Sequence, residues 1–95
     1  MANRCKVEIK VFAEKQLARV PAYIREHVRY WAISVEELGI KEVRKLPGYH
    51  DEPLRGDRKG QRSIRLNRSY RLIYVEDTAG EIIVISVLEV NKHDY

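Results

Sequence analysis

The tightest constraint on the fold lies between Gln61 and Glu76, where two strand-like runs, Gln61 to Leu66 and Tyr70 to Glu76, are separated by Asn67, Arg68 and Ser69. Side chains alternate along a strand, so a slip of one residue exchanges its two faces. A two-residue loop of Asn67-Arg68 would set Ile64 opposite Arg71 and Arg65 opposite Tyr70, mixing charge into an apolar face. A three-residue loop sets Leu66 opposite Tyr70 and Ile64 opposite Leu72 on one side, with Arg65 opposite Arg71 on the other. The second register is the expected one. It leaves two like charges side by side, which repel unless an anion sits between them, and the pair therefore reads as a phosphate site.

The charge around this hairpin is local. From Arg55 to Arg71 the basic side chains are Arg55, Arg58, Lys59, Arg62, Arg65, Arg68 and Arg71, against Asp57 alone, a net +6. The whole chain carries +4, so the remaining residues sum to −2. Such a concentration on one element suits a polyanionic partner, either nucleic acid or an acidic protein segment.

Upstream, residues 5 to 11 alternate, with Cys5, Val7, Ile9 and Val11 on one side, and predict a half-buried first strand. Ala13 to Val20 is rich in helix formers, and Pro21 fits an early position of a second helix. In that helix Ile24, Val28, Trp31, Val35 and Leu38 recur at steps of four and three, one apolar stripe to pack on the sheet, and Gly39 is its stop. Trp31 is read as core and His27 as structural. Ile40 to Leu46 extends the helical region by a turn or two. Tyr49 to Gly60 reads as a long loop broken by Pro53, Gly56 and Gly60. After the first hairpin, Asp77-Thr78-Ala79-Gly80 is the expected turn, and Ile82 to Val90, apolar on both faces as far as Ser86, is the expected central strand.

The fold class is therefore α+β: a strand, a hairpin of two to three helices, then a three-stranded antiparallel meander. With 95 residues, 44% hydrophobic and 34% charged, residues 1–95 are read as one domain with one small core. The start of the chain lacks a signal-peptide h-region, and the densest apolar run, Ile82 to Leu88, is too short to span a bilayer, so a cytoplasmic protein with no membrane partner is expected. The single cysteine, Cys5, has no partner for an internal disulfide and reads as a small hydrophobe. His27, His50 and His93 lack metal-ligand spacing, so neither a metal nor another cofactor is expected. Because the last strand runs antiparallel to its neighbour, Lys92, His93, Asp94 and Tyr95 are expected beside Arg65 and Arg71.

The sequence resembles the RelE/ParE superfamily of bacterial toxin–antitoxin toxins, and within it the messenger-RNA-cleaving RelE and HigB-like branch. The likeness spans nearly the whole chain. It rests on the element order, on residues 47 to 60, on Ser63-Ile64-Arg65-Leu66 followed by Tyr70-Arg71-Leu72-Ile73-Tyr74, and on the ending Glu89-Val90-Asn91-Lys92-His93-Asp94-Tyr95. The resemblance implies a small toxin that enters the ribosomal A site, cuts the messenger there and is neutralised by a cognate antitoxin, with operator DNA met only through that antitoxin. It matches Arg65 and Arg71 to the residues that hold the scissile phosphate. Lys92 or His93 matches the basic residue after the last strand, and Tyr95 the terminal tyrosine that packs on a base or assists proton transfer. His50 resembles the loop histidine of the HigB-like branch, although Asp51-Glu52 intervene before the Pro-Leu pair and Arg55 stands where that branch has lysine.

Metal-free RNA cleavage needs the 2′-hydroxyl deprotonated, the in-line phosphate stabilised and the departing 5′-oxygen protonated. Arg65 and Arg71 are assigned to the phosphate, His93 to proton transfer, Tyr95 to a base and Lys92 to added charge. Arg55, Arg58, Lys59, Arg62, Arg68 and His50 are read as RNA-contacting residues. Two other classes remain: a ParE-like inhibitor of DNA gyrase without ribonuclease activity, which has the same fold but would not need His93, Tyr95 and the facing arginines, and a nucleic-acid-binding module with no catalysis.

Overall fold

The computed structural model describes residues 4–92. His93 and Tyr95, two of the expected site residues, lie outside them. The elements in chain order are β1 (Arg4–Ile9), α1 (Val11–Leu17), α2 (Ala22–Leu38), α3 (Ile40–Val43), β2 (Glu52–Pro53), β3 (Gln61–Arg65), β4 (Tyr70–Ala79) and β5 (Ile82–Lys92). The five strands form one sheet in the order β1-β5-β4-β3-β2. β1 runs parallel to β5, and the other neighbours are antiparallel. A parallel pair needs a long crossover, and the helices between β1 and the hairpins supply it. The α+β class and the central place of β5 are as expected.

The hairpin takes the three-residue-loop register: Ile64 pairs with Leu72 and Arg65 with Arg71. The Leu66 N–H donates to the Tyr70 carbonyl at 2.9 Å. Asn67 Oδ1 accepts from the N–H groups of Ser69 and Tyr70 at 2.8 and 2.7 Å, the local bond that suits Asn to the first position of a loop. One face of the sheet meets α2 through Ile64, Leu66, Leu72, Tyr74, Ile85, Val87 and Val90, against Ile24, Val28, Trp31 and Val35. Trp31 is fully buried, its ring 5.4 Å from that of Tyr74 and tilted by 47°. No helix among the described residues is long and apolar enough to cross a membrane.

Three boundaries and the burial of one residue differ from the sequence reading. The first strand stops at Ile9 because Lys10 turns the chain: its N–H still bonds to Val87 on β5, while its carbonyl accepts from Glu14 and opens α1. Val11 thereby becomes helical and 69% exposed rather than the last inward residue of a strand. Pro21 stands just before α2, not within it, its carbonyl accepting from Ile24 at 3.0 Å. Leu38, expected in the stripe, is 58% exposed: the helix closes with the Gly39 N–H on Val35 O, Gly39 takes φ +89, and Ile40 is buried instead. The second turn is only Gly80 and Glu81, since Asp77, Thr78 and Ala79 continue β4. Gly80 has φ +65, the left-handed value that a two-residue hairpin loop requires.

The expected loop from Tyr49 to Gly60 contains β2 and the 3-10 turn Gly56–Arg58, and follows a 3-10 turn at Pro47–Tyr49. On the β4–β5 ladder, Ile73 pairs with Glu89 but Tyr74 with Val87, so Leu88 is an extra, bulged residue. This is why Val87 and Val90, three apart, both reach the helical side. Replacing Asn67 with Ala removes the two turn hydrogen bonds while leaving the strands intact. It is expected to lower the stability by about 1 kcal/mol, seen as a lower urea midpoint at unchanged m-value.

Candidate nucleic-acid interface

Beyond Ser63 the outer edge of β3 is open, because β2 pairs only with Arg62 and Ser63. A cleft of about 120 Å³ forms along that edge. It is lined by His50 and Glu52 from the segment leading into β2, by Ser63 and Arg65 of β3, by Asn67 and Arg68 of the turn, and by Tyr70 and Arg71 of β4. Arg65 and Arg71 are direct cross-strand partners and have no salt bridge among the described residues. Arg71 Nε is buried and has no hydrogen-bond acceptor among the described residues. The arginine pair, Arg68 and His50 thus meet at one cleft.

The turn that carries Arg65 is fixed from the helical side. His27 on α2 lies with Nδ1 2.8 Å from the Leu66 carbonyl. A carbonyl only accepts, so Nδ1 bears the proton and donates it. Asn67 Nδ2 also reaches the Tyr23 hydroxyl at 3.5 Å. His27 is therefore structural, as its place beside the α2 stripe suggested.

The opposite flank of the cleft hangs on Asp51. Its side chain is 1% exposed. Oδ1 accepts from Arg62 Nε at 2.6 Å and lies 3.8 Å from Arg44 Nε, while Oδ2 accepts from the Tyr74 hydroxyl at 2.6 Å. Arg44 also donates to the Tyr74 oxygen, at 3.3 and 3.2 Å, and to Glu76 at 2.9 Å. Asp51 stands between His50 and Glu52, so anchoring it fixes both neighbours. His50 adopts φ +47, ψ +49, a left-handed conformation that costs free energy for a residue with a Cβ and recurs at functional sites. Burial, and then the adjacent Asp51 carboxylate, raise the Tyr74 pKa above the ordinary tyrosine value, with Arg44 opposing. The phenol thus stays a donor to Asp51.

The network separates the members of the basic run by their partners. Arg62, expected to touch RNA, is committed to Asp51 and points to the helical side opposite Tyr74. Arg58 is held by Gln61 at 3.0 Å and by the Glu89 carboxylate, which also accepts from Asn91. Each has an acid within reach, which a count of charges along the chain does not show. Arg55, Lys59, Arg65 and Arg68 are exposed. Lys92 is exposed at the end of β5 and pairs with Tyr70, one position from Arg71's partner Asn91. Glu52 was missed: its pairing with Ser63 aligns it with Arg65 two residues on, but a two-residue strand ending in proline leaves no periodic signal.

A strand, a crossover of helices and a mostly antiparallel sheet make up the fold of RelE/ParE-type toxins, and this chain has that fold. Solved structures with the same architecture include a YoeB/ParE toxin from Agrobacterium tumefaciens, with 20% identity and a TM-score of 0.68 over 94% of this chain and 99% of that one. A chain of the RelBE2 toxin–antitoxin complex from Mycobacterium tuberculosis has 25% identity and a TM-score of 0.65, covering 93% and 96%. One from the YoeB–YefM complex of Staphylococcus aureus has 18% identity and a TM-score of 0.69, covering 96% and 99%. No protein-family model and no curated protein sequence matches the chain.

Asp51→Asn leaves Arg44 and Arg62 facing a neutral group in a largely buried site. It is expected to destabilise the fold by about 2 to 3 kcal/mol in urea titration. A second outcome follows from Tyr74. Its folded pKa is raised, so the stability it contributes is intact below the unfolded value of about 10 and is lost as pH rises beyond it. Melting temperatures from pH 8 to 11 should fall in the unmodified protein, and less steeply in Tyr74→Phe.

Proposed function

We propose that this protein is the toxin of a type II toxin–antitoxin pair and that it cleaves messenger RNA on the ribosome, without a metal, by attack of a 2′-hydroxyl on the adjacent phosphate. The observation that carries this reading is the facing pair Arg65 and Arg71 in a cleft that also holds an imidazole, His50, and a carboxylate, Glu52. Two guanidinium groups on adjacent strands repel in the empty cleft. A phosphate between them relieves that repulsion, and the extra negative charge of the in-line transition state is held more strongly than the ground state.

Glu52 takes the proton from the 2′-hydroxyl as its oxygen bonds to phosphorus. The 5′-oxygen leaves with the bonding pair and receives a proton from an imidazole, either His50 in the cleft or His93 in the C-terminal run. The products are a 2′,3′-cyclic phosphate and a 5′-hydroxyl. Lys92 adds positive charge, Tyr95 packs on or orients a base, and Arg55, Lys59 and Arg68 contact the RNA backbone of messenger and ribosome. The ribosome completes the geometry by fixing the messenger, and positioning alone contributes on the order of 7–11 kcal/mol to such a reaction.

The cognate antitoxin is the protein partner. Structural neighbours were solved as toxin–antitoxin complexes, and an exposed cationic cleft is a surface that an acidic segment silences by covering it. The expected place of action is the cytoplasm, where translating ribosomes are.

Primer extension on a translated messenger, with and without ribosomes, tests the reading. Cuts should appear only with ribosomes. Arg65→Ala is expected to lower the cleavage rate at least ~100-fold, and Glu52→Gln by roughly 10²–10⁴-fold. His50→Gln and His93→Ala separate the two candidate acids. Inhibition of DNA gyrase with no cut messenger would instead establish the ParE-like activity.

A further inference from the structure

Next to the phosphate cleft lies a second concavity of about 350 Å³, lined chiefly by His27, Tyr30, Leu46, Tyr49, Leu66 and Arg65. Arg65 forms a wall of both. The consecutive residues Tyr49 and His50 part at the ridge between them, Tyr49 in the larger groove and His50 in the smaller cleft. Core packing accounts for Leu66 and part of Tyr49, but not for the rest of this lining. Tyr30 is 62% exposed, off the stripe by which α2 meets the sheet, and Leu46 is exposed beyond α3. The His27 ring is fixed by its bond to Leu66, and Tyr49 is half-buried with its phenol pKa raised by that burial, so two of the aromatic walls are held in place.

We infer that this groove is a nucleobase subsite, receiving a base of the same RNA strand whose phosphate lies between Arg65 and Arg71. The inference rests on the phosphate-binding role of that pair. A single-stranded RNA alternates an anionic phosphate with a flat apolar base, and the surface alternates in the same way: an arginine pair, then aromatic and aliphatic walls, joined through one shared guanidinium. The groove falls in the size range of small-molecule sites. Among its lining residues the only formal charge is Arg65, a cation, which suits a strand that enters with a phosphate at the rim. Stacking on tyrosine tolerates any base, so the subsite adds affinity and position rather than a strict sequence code.

The test uses two probes with the nucleophile blocked: a 2′-O-methyl adenine trinucleotide and the same sugar-phosphate chain without bases. Affinities are measured by titration against the full-length protein and two variants, with melting temperatures as a check on folding. The unmodified protein should bind the base-containing probe about tenfold more tightly than the abasic one. Tyr30→Ala, at an exposed position, should abolish that preference and leave abasic binding unchanged, whereas Arg65→Ala should weaken both. Equal affinity for the two probes, or a preference that survives Tyr30→Ala, would overturn the subsite and leave the phosphate cleft standing. Binding of neither probe would overturn both. An unchanged base preference with an altered sedimentation mass in Tyr30→Ala would assign the groove to a second copy of the chain and likewise overturn the inference.

Discussion

The buried carboxylate of Asp51 ties the segment that leads into β2 to the end of α3 and to the paired strands β3 and β4. It joins Arg44 after α3, Arg62 on β3 and Tyr74 on β4, and through the Tyr74 ring it touches Trp31 on α2. Two carboxylates, Asp51 and Glu76, face two guanidinium groups, so the local charge balances and each buried oxygen of Asp51 has a donor. A buried ion pair adds little net stability over an apolar substitute, but it specifies geometry, because leaving either side unpaired is costly. Here the specified geometry is the segment through His50 and Glu52, which would otherwise be a polar loop with few contacts to define it.

That network also sorts the basic side chains. Along the chain Arg58, Arg62, Arg65 and Arg71 look alike, but in space two have acids within reach and two face each other. The ion pairs remove Arg58 and Arg62 from the outward field, and what remains is concentrated at the hairpin tip and the Arg55 to Lys59 bend. The facing of Arg65 and Arg71, which have no salt bridge among the described residues, is then a local violation of what stability alone would select, and such violations mark functional sites. The left-handed backbone at His50, on the other flank of the same cleft, is a second one.

Much of this architecture was legible because it rests on alternation and on residues with restricted backbones. The register of the first hairpin followed from the faces of Ile64, Leu66, Tyr70 and Leu72, and the α2 stripe from its spacing. Errors came where a local bond or turn decided the boundary: Lys10 changing partners between β5 and α1, and the two-residue turn at Gly80. Of the site, the arginine pair was readable from pairing logic alone. Asp51 and Glu52 were not, since their partners lie eleven residues away on β3 and are reached across a strand too short to show a period.

The bulge at Leu88 sets a parity. Every residue after it on β5 faces the side opposite the one it would take in an unbroken ladder, which brings Val90 inward and puts Asn91 opposite Arg71. One extra residue in β5 therefore phases Asn91 and Lys92, while the hairpin that bears the arginines is phased independently by its own loop. The two halves of this surface, the end of β5 and the arginine hairpin, are thus separate counting problems within one sheet. An insertion or deletion of one residue between Ser86 and Asn91 would rotate one half away from the other without touching any side chain in the cleft.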